Sequence, residues 1–389
     1  MTRRRSTESC PSAAGTLRQR RIPHTSKEPE TIVKPTPEEE AAIAARTAGL
    51  VNEARLGAWM DSQDLPAKGE PVASTFISGG ASNEIFEIRR GDFRAVLRRP
   101  PRVVPKGRNE TMMREYRVLH ALNGTDVPHP EAYAACSDDE VMGSSFYLMS
   151  LVDGWSPMNM DGWPEPFGTD LDARYGLAIQ LVDGIARLAR VDWKARELEG
   201  FGKPDGFHDR QVDRWMAHLN AVKFRDIPGL EVAAEWLSNH KPSHWEPGII
   251  HGDYQFANVM FHHGAPARLA AMVDWEMSTV GDPLLDLGWV MNGWTDPGED
   301  RTKGYVDSTG MPGRAEMLDH YATVSGRSVD EIDYYVILAR FKLAIVLEAG
   351  YARVVSGEAD NPTMAAFGDV VLDSMAAAAE LASTTPLGR

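Results

Sequence analysis

The spacing of hydrophobic and polar residues changes several times along the chain, and each change marks an element. From Thr36, "TPEEEAAIAARTAGLVNEARLGAWM" carries Ile43, Leu50 and Leu56 at helical spacing behind a threonine cap, a first-position proline and three glutamates. That pattern predicts one helix ending near Asp61. The period then falls to two. "VASTFIS" and "EIFEIRR" read as strands on either side of "GGASN", and Gly91–Asp92 joins the second to a third strand, "FRAVLRR", closed by Pro100 and Pro101. "RNETMMREYRVLHAL" returns to a helical period, with Met112, Tyr116 and Leu119 on one face and Glu115 beside them, and "SFYLMSLVDG" is a further apolar segment. Beyond Gly154 the chain reads as mostly helical, with long loops rich in Trp, Phe, Pro and Gly up to about Gly248. Two short strands, "VMF" and "LAAMV", then flank the turn "HHGAPA", and helices finish the chain, the clearest from Asp330 to Val355. The pattern predicts a small sheet-rich lobe followed by a larger helical one, with a ligand between them.

Composition narrows the class. With 389 residues, 43% hydrophobic and 25% charged, the chain reads as an ordinary globular protein. The most apolar helical run, "VILARFKLAIVLEAG", is interrupted by Arg340, Lys342 and Glu348, so no membrane span is expected. Cys10 and Cys136 are the only cysteines, which offers neither a disulfide framework nor a cysteine zinc site, and a cytoplasmic location is expected. The net charge of −15 argues against a nucleic-acid partner. Residues 1–36 differ, with eight Lys/Arg against three Glu and four prolines, and read as a disordered basic tail. The expected division is therefore 1–36 as tail, 37–153 as N-terminal helix, nucleotide-binding lobe and hinge, and 154–389 as the helical lobe with the catalytic loop and acceptor site.

The chemistry concentrates in "HGDYQFANV", His251 to Val259, and "MVDWE", Met272 to Glu276. Phosphoryl transfer asks a protein to position its reactants and to neutralise phosphate charge. It needs a carboxylate near the acceptor hydroxyl and hard oxygen ligands for Mg²⁺. Asp253 and Asn258 have the D-x-x-x-x-N spacing of a kinase catalytic loop, His251 precedes the aspartate by two, and Asp274 follows an apolar strand where a metal-binding aspartate belongs. Other readings of the same residues stand beside this one: His251 as a core histidine, Asp253 as a turn residue, or a zinc or iron site built from His251, Asp253, His262, His263 and Asp274. Arg98 also reads as a surface arginine, Glu115 as a solvated helix charge, and Trp155, Trp163, Trp193 and Trp215 as core.

"HGDYQFANVMF" and "VDWEMSTVGDPLLDLGW" together resemble the aminoglycoside phosphotransferase family, the bacterial-type branch of the protein-kinase-like fold, from about Val72 to the C-terminal helices. The resemblance implies an α+β, bilobal fold with a small antiparallel sheet lobe plus helix and a larger, mainly helical C-terminal lobe. It implies Asp253 as catalytic base, Asn258 and Asp274 as Mg²⁺ ligands, and Asp286 as a buried brace of the catalytic loop, with His251 as scaffold. "FISGGASNEIFEI" resembles the nucleotide-covering loop, which would lay Gly80 and Ser82 over the ATP phosphates. In "AVLRRPP" Arg98 holds the place of the usual phosphate-binding lysine, with Glu115 as its partner. "YLMSLVDG" resembles the hinge, with Ser150 and Val152 offering backbone groups to adenine and Met149 behind them. Trp275 and Glu276 replace the Phe-Gly of D-F-G, so no switch of that type is expected. "GFGKPDGFHDRQVDRW" with the "DWE" element looks closest to the subgroup related to the kinase-like domains fused to acyl-CoA dehydrogenases, which implies a hydroxyacyl-CoA or similar metabolite as acceptor.

That resemblance implies an ATP- and Mg²⁺-dependent kinase of a small-molecule hydroxyl. An antibiotic phosphotransferase and a nucleotide-binding pseudokinase are the alternatives. Arg210 and Arg214 are the expected contacts for an anionic acceptor.

Overall fold

The computed structural model describes residues 37–79, 83–157, 162–302 and 306–387. The expected tail, and Gly80 and Ser82 of the covering loop, lie outside the described residues. Residues 44–389 form one compact unit.

The single N-terminal helix expected from the pattern is in fact two, α1 (Pro37–Thr47) and α2 (Glu53–Ser62). Gly49 takes a left-handed φ of 70° between them, and Asn52 caps α2 by accepting the Arg55 N–H. The apolar period carries across the break because Leu50 and Leu56 are both buried even though only Leu56 is helical.

The strands fall where the alternation put them. β1 (Val72–Gly79), β2 (Glu84–Arg90) and β3 (Phe93–Arg99) form an antiparallel meander. Helix α3 (Arg108–Leu122) follows, and then two elements that the pattern did not announce, β4 (Ala132–Cys136) and the short α4 (Asp139–Met142). With β5 (Phe146–Ser150) the sheet order is β1-β2-β3-β5-β4. One apolar cluster joins α2 to this sheet through Leu56, Met60, Ile88, Leu97 and Phe146. The buried residues of α3, among them Met112, Val118, Leu119 and Leu122, belong instead to the large core shared with the helical lobe. Helix α3 thereby ties the sheet to that lobe.

The helical lobe comprises α5 (Leu171–Leu188), α6 (Gln211–Asn220) and α7 (Leu230–Asn239), then β6 (Gly248–Ile250), β7 (Val259–Phe261), β8 (Leu269–Met272) and β9 (Thr279–Gly281). It ends with α8 (Leu284–Met291), α9 (Arg314–Ser325), α10 (Ile332–Val355) and α11 (Pro362–Thr384). β7 pairs with β8 as expected, and β6 pairs with β9. These two small ladders bracket the loops that hold His251 to Asn258 and Val273 to Ser278. Among the described residues no helix is long and apolar enough to cross a membrane.

Candidate functional site

Between β6 and β7 the chain must turn while keeping its polar side chains aimed at one point. Gly252 adopts a φ of 90°, and a Cβ there would run into the Met277 carbonyl, so the middle position of His-Gly-Asp admits only glycine without strain. Asp286, buried at the start of α8, accepts the His251 N–H at 2.7 Å and the Gly252 N–H at 2.9 Å. Burial pushes its carboxyl up to about 7, against the pull of those two N–H groups and of Lys342. His251 is fully buried, with one ring nitrogen 2.9 Å from the Val273 carbonyl and its ring against Trp275. Burial holds its pKa down to about 4, so the ring stays neutral. Asp286 and His251 thus clamp the catalytic-loop segment to the segment that carries Asp274.

Asp253 emerges from this clamp with its carboxylate held on both oxygens. Gln255 donates to one at 2.9 Å, and Asn258 donates to the other at 2.8 Å and to the Asp253 carbonyl at 2.8 Å. Burial raises the Asp253 pKa, and neighbouring Asp274 pushes it the same way, while the two amides oppose the rise. Asp274 has a left-handed backbone, φ 65° and ψ 64°, a conformation that costs a non-glycine residue energy and that tends to collect at functional sites. One of its oxygens accepts from Arg98 at 2.7 Å.

The sheet side of the site is a chain of charges. Arg98, buried at the end of β3, reaches Asp274 with one nitrogen and lies 2.7 Å from Glu115 through Nε, an ion pair whose N–H is not aligned as a hydrogen bond. Burial opposes the arginine charge, but Tyr147, Glu115 and Asp274 more than offset it and raise the Arg98 pKa. Glu115 is 1% exposed; burial raises its pKa, and Arg98 and Arg108 limit the rise. Arg98 and Glu115 are therefore neither a surface arginine nor a solvated helix charge. Arg108 extends the chain to Glu276 at 2.7 Å. Sequence reasoning passed over Arg108 and Gln255, although Gln255 lies inside the quoted motif.

At the expected hinge, the Ser150 N–H is already donated to the Glu131 carbonyl at 2.8 Å. Val152 follows β5 in irregular backbone and is half-buried. The residues of the alternative zinc set are dispersed. His262 and His263 sit in the β7–β8 turn, and among the described residues no group of three or more His, Cys, Asp or Glu is placed to hold a metal ion. Asn258 and Asp274 offer hard oxygen donors, with only one Asp274 oxygen engaged by Arg98, which fits Mg²⁺.

Beside Asp253 opens a cavity of about 380 Å³. Its wall carries Trp215 of α6, Trp289 of α8, Phe256 and Trp294, with Lys342 of α10 as the only basic residue on it among the described residues. Arg210 and Arg214, the expected acceptor contacts, are not on this wall. Arg210 instead donates to the Lys203 and Asp205 carbonyls of its own loop, and Arg214 is exposed over the Trp215 ring. Of the four tryptophans expected in the core, Trp155, Trp163 and Trp193 pack there, and Trp215 does so while also facing the cavity.

Known proteins place this architecture. Residues 74–320 match the sequence profile of the phosphotransferase enzyme family, APH. Acyl-CoA dehydrogenase family member 11 of Gallus gallus is 31% identical over 303 residues, 76% of this chain and 38% of that protein. Acyl-CoA dehydrogenase family member 10 of Mus musculus is 29% identical over 297 residues, 73% of this chain and 27% of that one. The chain thus spans well under half the length of these relatives. Among solved structures, an inferred aminoglycoside phosphotransferase from Ralstonia eutropha JMP134 superposes with a TM-score of 0.73 at 30% identity, over 85% of this chain and 98% of that one. Aminoglycoside phosphotransferase APH(4)-Ia, in a ternary complex with ADP and hygromycin B, shares the fold with a TM-score of 0.54 at 13% identity, over 84% and 98%. With its bilobal, kinase-like α+β fold and a family match over most of its length, the chain belongs to the phosphotransferase enzyme family.

Proposed function

We propose that the protein transfers the terminal phosphoryl group of ATP to the hydroxyl of a small molecule held in the Trp215–Trp289 cavity. The observation that carries this reading is the place of Asp253: its carboxylate is fixed by Asn258 and Gln255 and lines the cavity wall. Asp253 takes the acceptor's hydroxyl proton as the oxygen bonds to the terminal phosphorus and the bridging P–O bond to ADP breaks. Its raised pKa favours accepting that proton. Asn258 and Asp274 would hold Mg²⁺, which would neutralise phosphate charge in the transition state. Arg98, anchored by Glu115, meets the phosphates on the sheet side, together with Gly80 and Ser82 of the covering loop. Val152 and the Ser150 carbonyl face adenine, since the Ser150 N–H is already engaged.

The cavity wall bears on the acceptor. A polycationic aminoglycoside is best met by several carboxylates, and among the described residues this wall offers only Asp253 and Glu276, beside indole rings, aliphatic chains and a few neutral polar groups. An acceptor with an apolar body fits better, and a hydroxyacyl-CoA, as the acyl-CoA dehydrogenase relatives suggest, has one. The test is incubation with ATP, Mg²⁺ and a panel of hydroxyacyl-CoA thioesters and aminoglycosides, followed by mass spectrometry for a gain of one phosphate. Phosphorylation of a thioester supports the reading, phosphorylation of aminoglycosides alone contradicts the acceptor class, and nucleotide binding without transfer to any acceptor points to a pseudokinase.

A further inference from the structure

Lys342 stands out on the cavity wall. It is 7% exposed, in a stretch of α10 whose other charges are Arg340 and Glu348, and its ammonium makes no hydrogen bond or ion pair with the described residues. Instead Nζ sits 5.4 Å from the centre of the Trp215 ring and 5.4 Å from that of the Trp289 ring. Two indole faces offset part of the cost of burying the charge. They accept no directed hydrogen bond, so the three N–H donors have no hydrogen-bond acceptor among the described residues. The Trp215 indole N–H, also buried, likewise has no partner among them. Burial holds the Lys342 pKa down to about 8, with Asp286 and Asp253 keeping it from falling further and Arg214 adding to the drop.

We propose that Lys342 is a specificity-determining residue of the acceptor site, donating a hydrogen bond to an acyl carbonyl oxygen of the acceptor while the acyl chain lies against Trp215 and Trp289 and its hydroxyl faces Asp253. This rests on the phosphotransferase reading and adds to it what the cavity recognises: a hydroxyl and a carbonyl on one apolar chain. A purely structural lysine, a counter-charge for Asp286, would serve every acceptor alike.

The experiment compares hydroxyhexanoyl-CoA isomers with the matching S-(hydroxyhexyl)-CoA thioethers, which lack only the carbonyl oxygen. Lys342→Met keeps the apolar stem and removes the donors; Lys342→Gln keeps a donor. A hydrogen bond from a charged donor corresponds to about 10- to 100-fold in KM. The Met variant is expected to raise the thioester KM by that factor and to leave the KM values for the thioether and for ATP near wild type, with the Gln variant intermediate. An unchanged thioester KM, or an equal loss on thioester and thioether, overturns the proposal. If the wild-type protein phosphorylates neither compound, the phosphotransferase reading fails separately, and Lys342 is then judged by quenching of tryptophan fluorescence on titration. Tighter binding of thioester than thioether that disappears in the Met variant supports it, and equal or absent binding of both overturns it.

Discussion

On the sheet side of Asp253, five charged residues, Arg98, Glu115, Asp274, Arg108 and Glu276, are linked by ion pairs of 2.7 to 3.8 Å. On the cavity side, indole rings and aliphatic chains dominate a wall that also carries Asp253, Glu276 and a few neutral polar groups, and among the described residues the ammonium of Lys342 is met by ring faces. The first arrangement holds its charges in mutual compensation. The second leaves donors open in a mostly apolar setting, where a single oxygen on a ligand changes affinity strongly. On the function proposed above, the contrast separates two tasks, an electrostatic frame for the phosphates and a selective pocket for the acceptor.

Breaking the frame should cost most. Asp274→Asn exchanges a charged oxygen ligand for a neutral one; a drop in kcat on the order of 10³-fold is expected, with a weakened dependence on Mg²⁺ and little change in acceptor KM. Steady-state kinetics across a Mg²⁺ titration checks this, and an unaltered titration curve places the ligand elsewhere. Next comes the clamp beneath both sides. Asp286→Ala strips the acceptor from the buried N–H groups of His251 and Gly252, a loss of about 2–5 kcal/mol in unfolding free energy by urea titration.

His251 gives a pH signature of about 3 kcal/mol. Its folded pKa of about 4 lies below the ordinary histidine value of 6.5, so its contribution is fully present above pH 6.5 and is lost as pH falls toward 4. Asp286, raised to about 7, works in the opposite sense, contributing stability at acid pH that disappears as pH rises through 7. The wild-type curve therefore hides both. The stability difference between wild type and His251→Gln should shrink by that amount from pH 7 to pH 4, and a difference that is constant with pH contradicts a neutral buried ring. The smallest effect sharpens the pocket side. Arg210→Ala should leave the acceptor KM within about twofold, because loop carbonyls already engage its guanidinium.

The sequence was most informative where function forces spacing. Asp253, Asn258 and Asp274 could be picked out because a turn and a short hairpin bring residues close in sequence to one point. β1, β2, β3 and α3 were legible from clean alternation and helical period. The kink between α1 and α2 was not, because buried Leu50 continues the helical spacing across Gly49; Asn52 as a cap before Glu53 was the overlooked signal. β4 was missed because "AYAAC" alternates burial with alanine, a weak strand former. The cavity beside Asp253 was legible only through Trp215, one of the tryptophans singled out in the sequence: Trp215, Trp289 and Lys342 come from three helices far apart in the chain. Lys342 had one visible sign, a charge inside an apolar helix, which reads equally well as evidence against a membrane span.

The most direct test of the account is the transfer itself. Wild type and Asp253→Ala, each shown to be folded and to bind ATP, are incubated with ATP, Mg²⁺ and a hydroxyacyl-CoA thioester, and the phosphorylated acceptor is quantified by mass spectrometry. The account predicts phosphate on the acceptor hydroxyl in the wild type and a rate lower by roughly 10²–10⁴ in the variant, with ATP affinity nearly unchanged. Near-normal transfer by Asp253→Ala would contradict it.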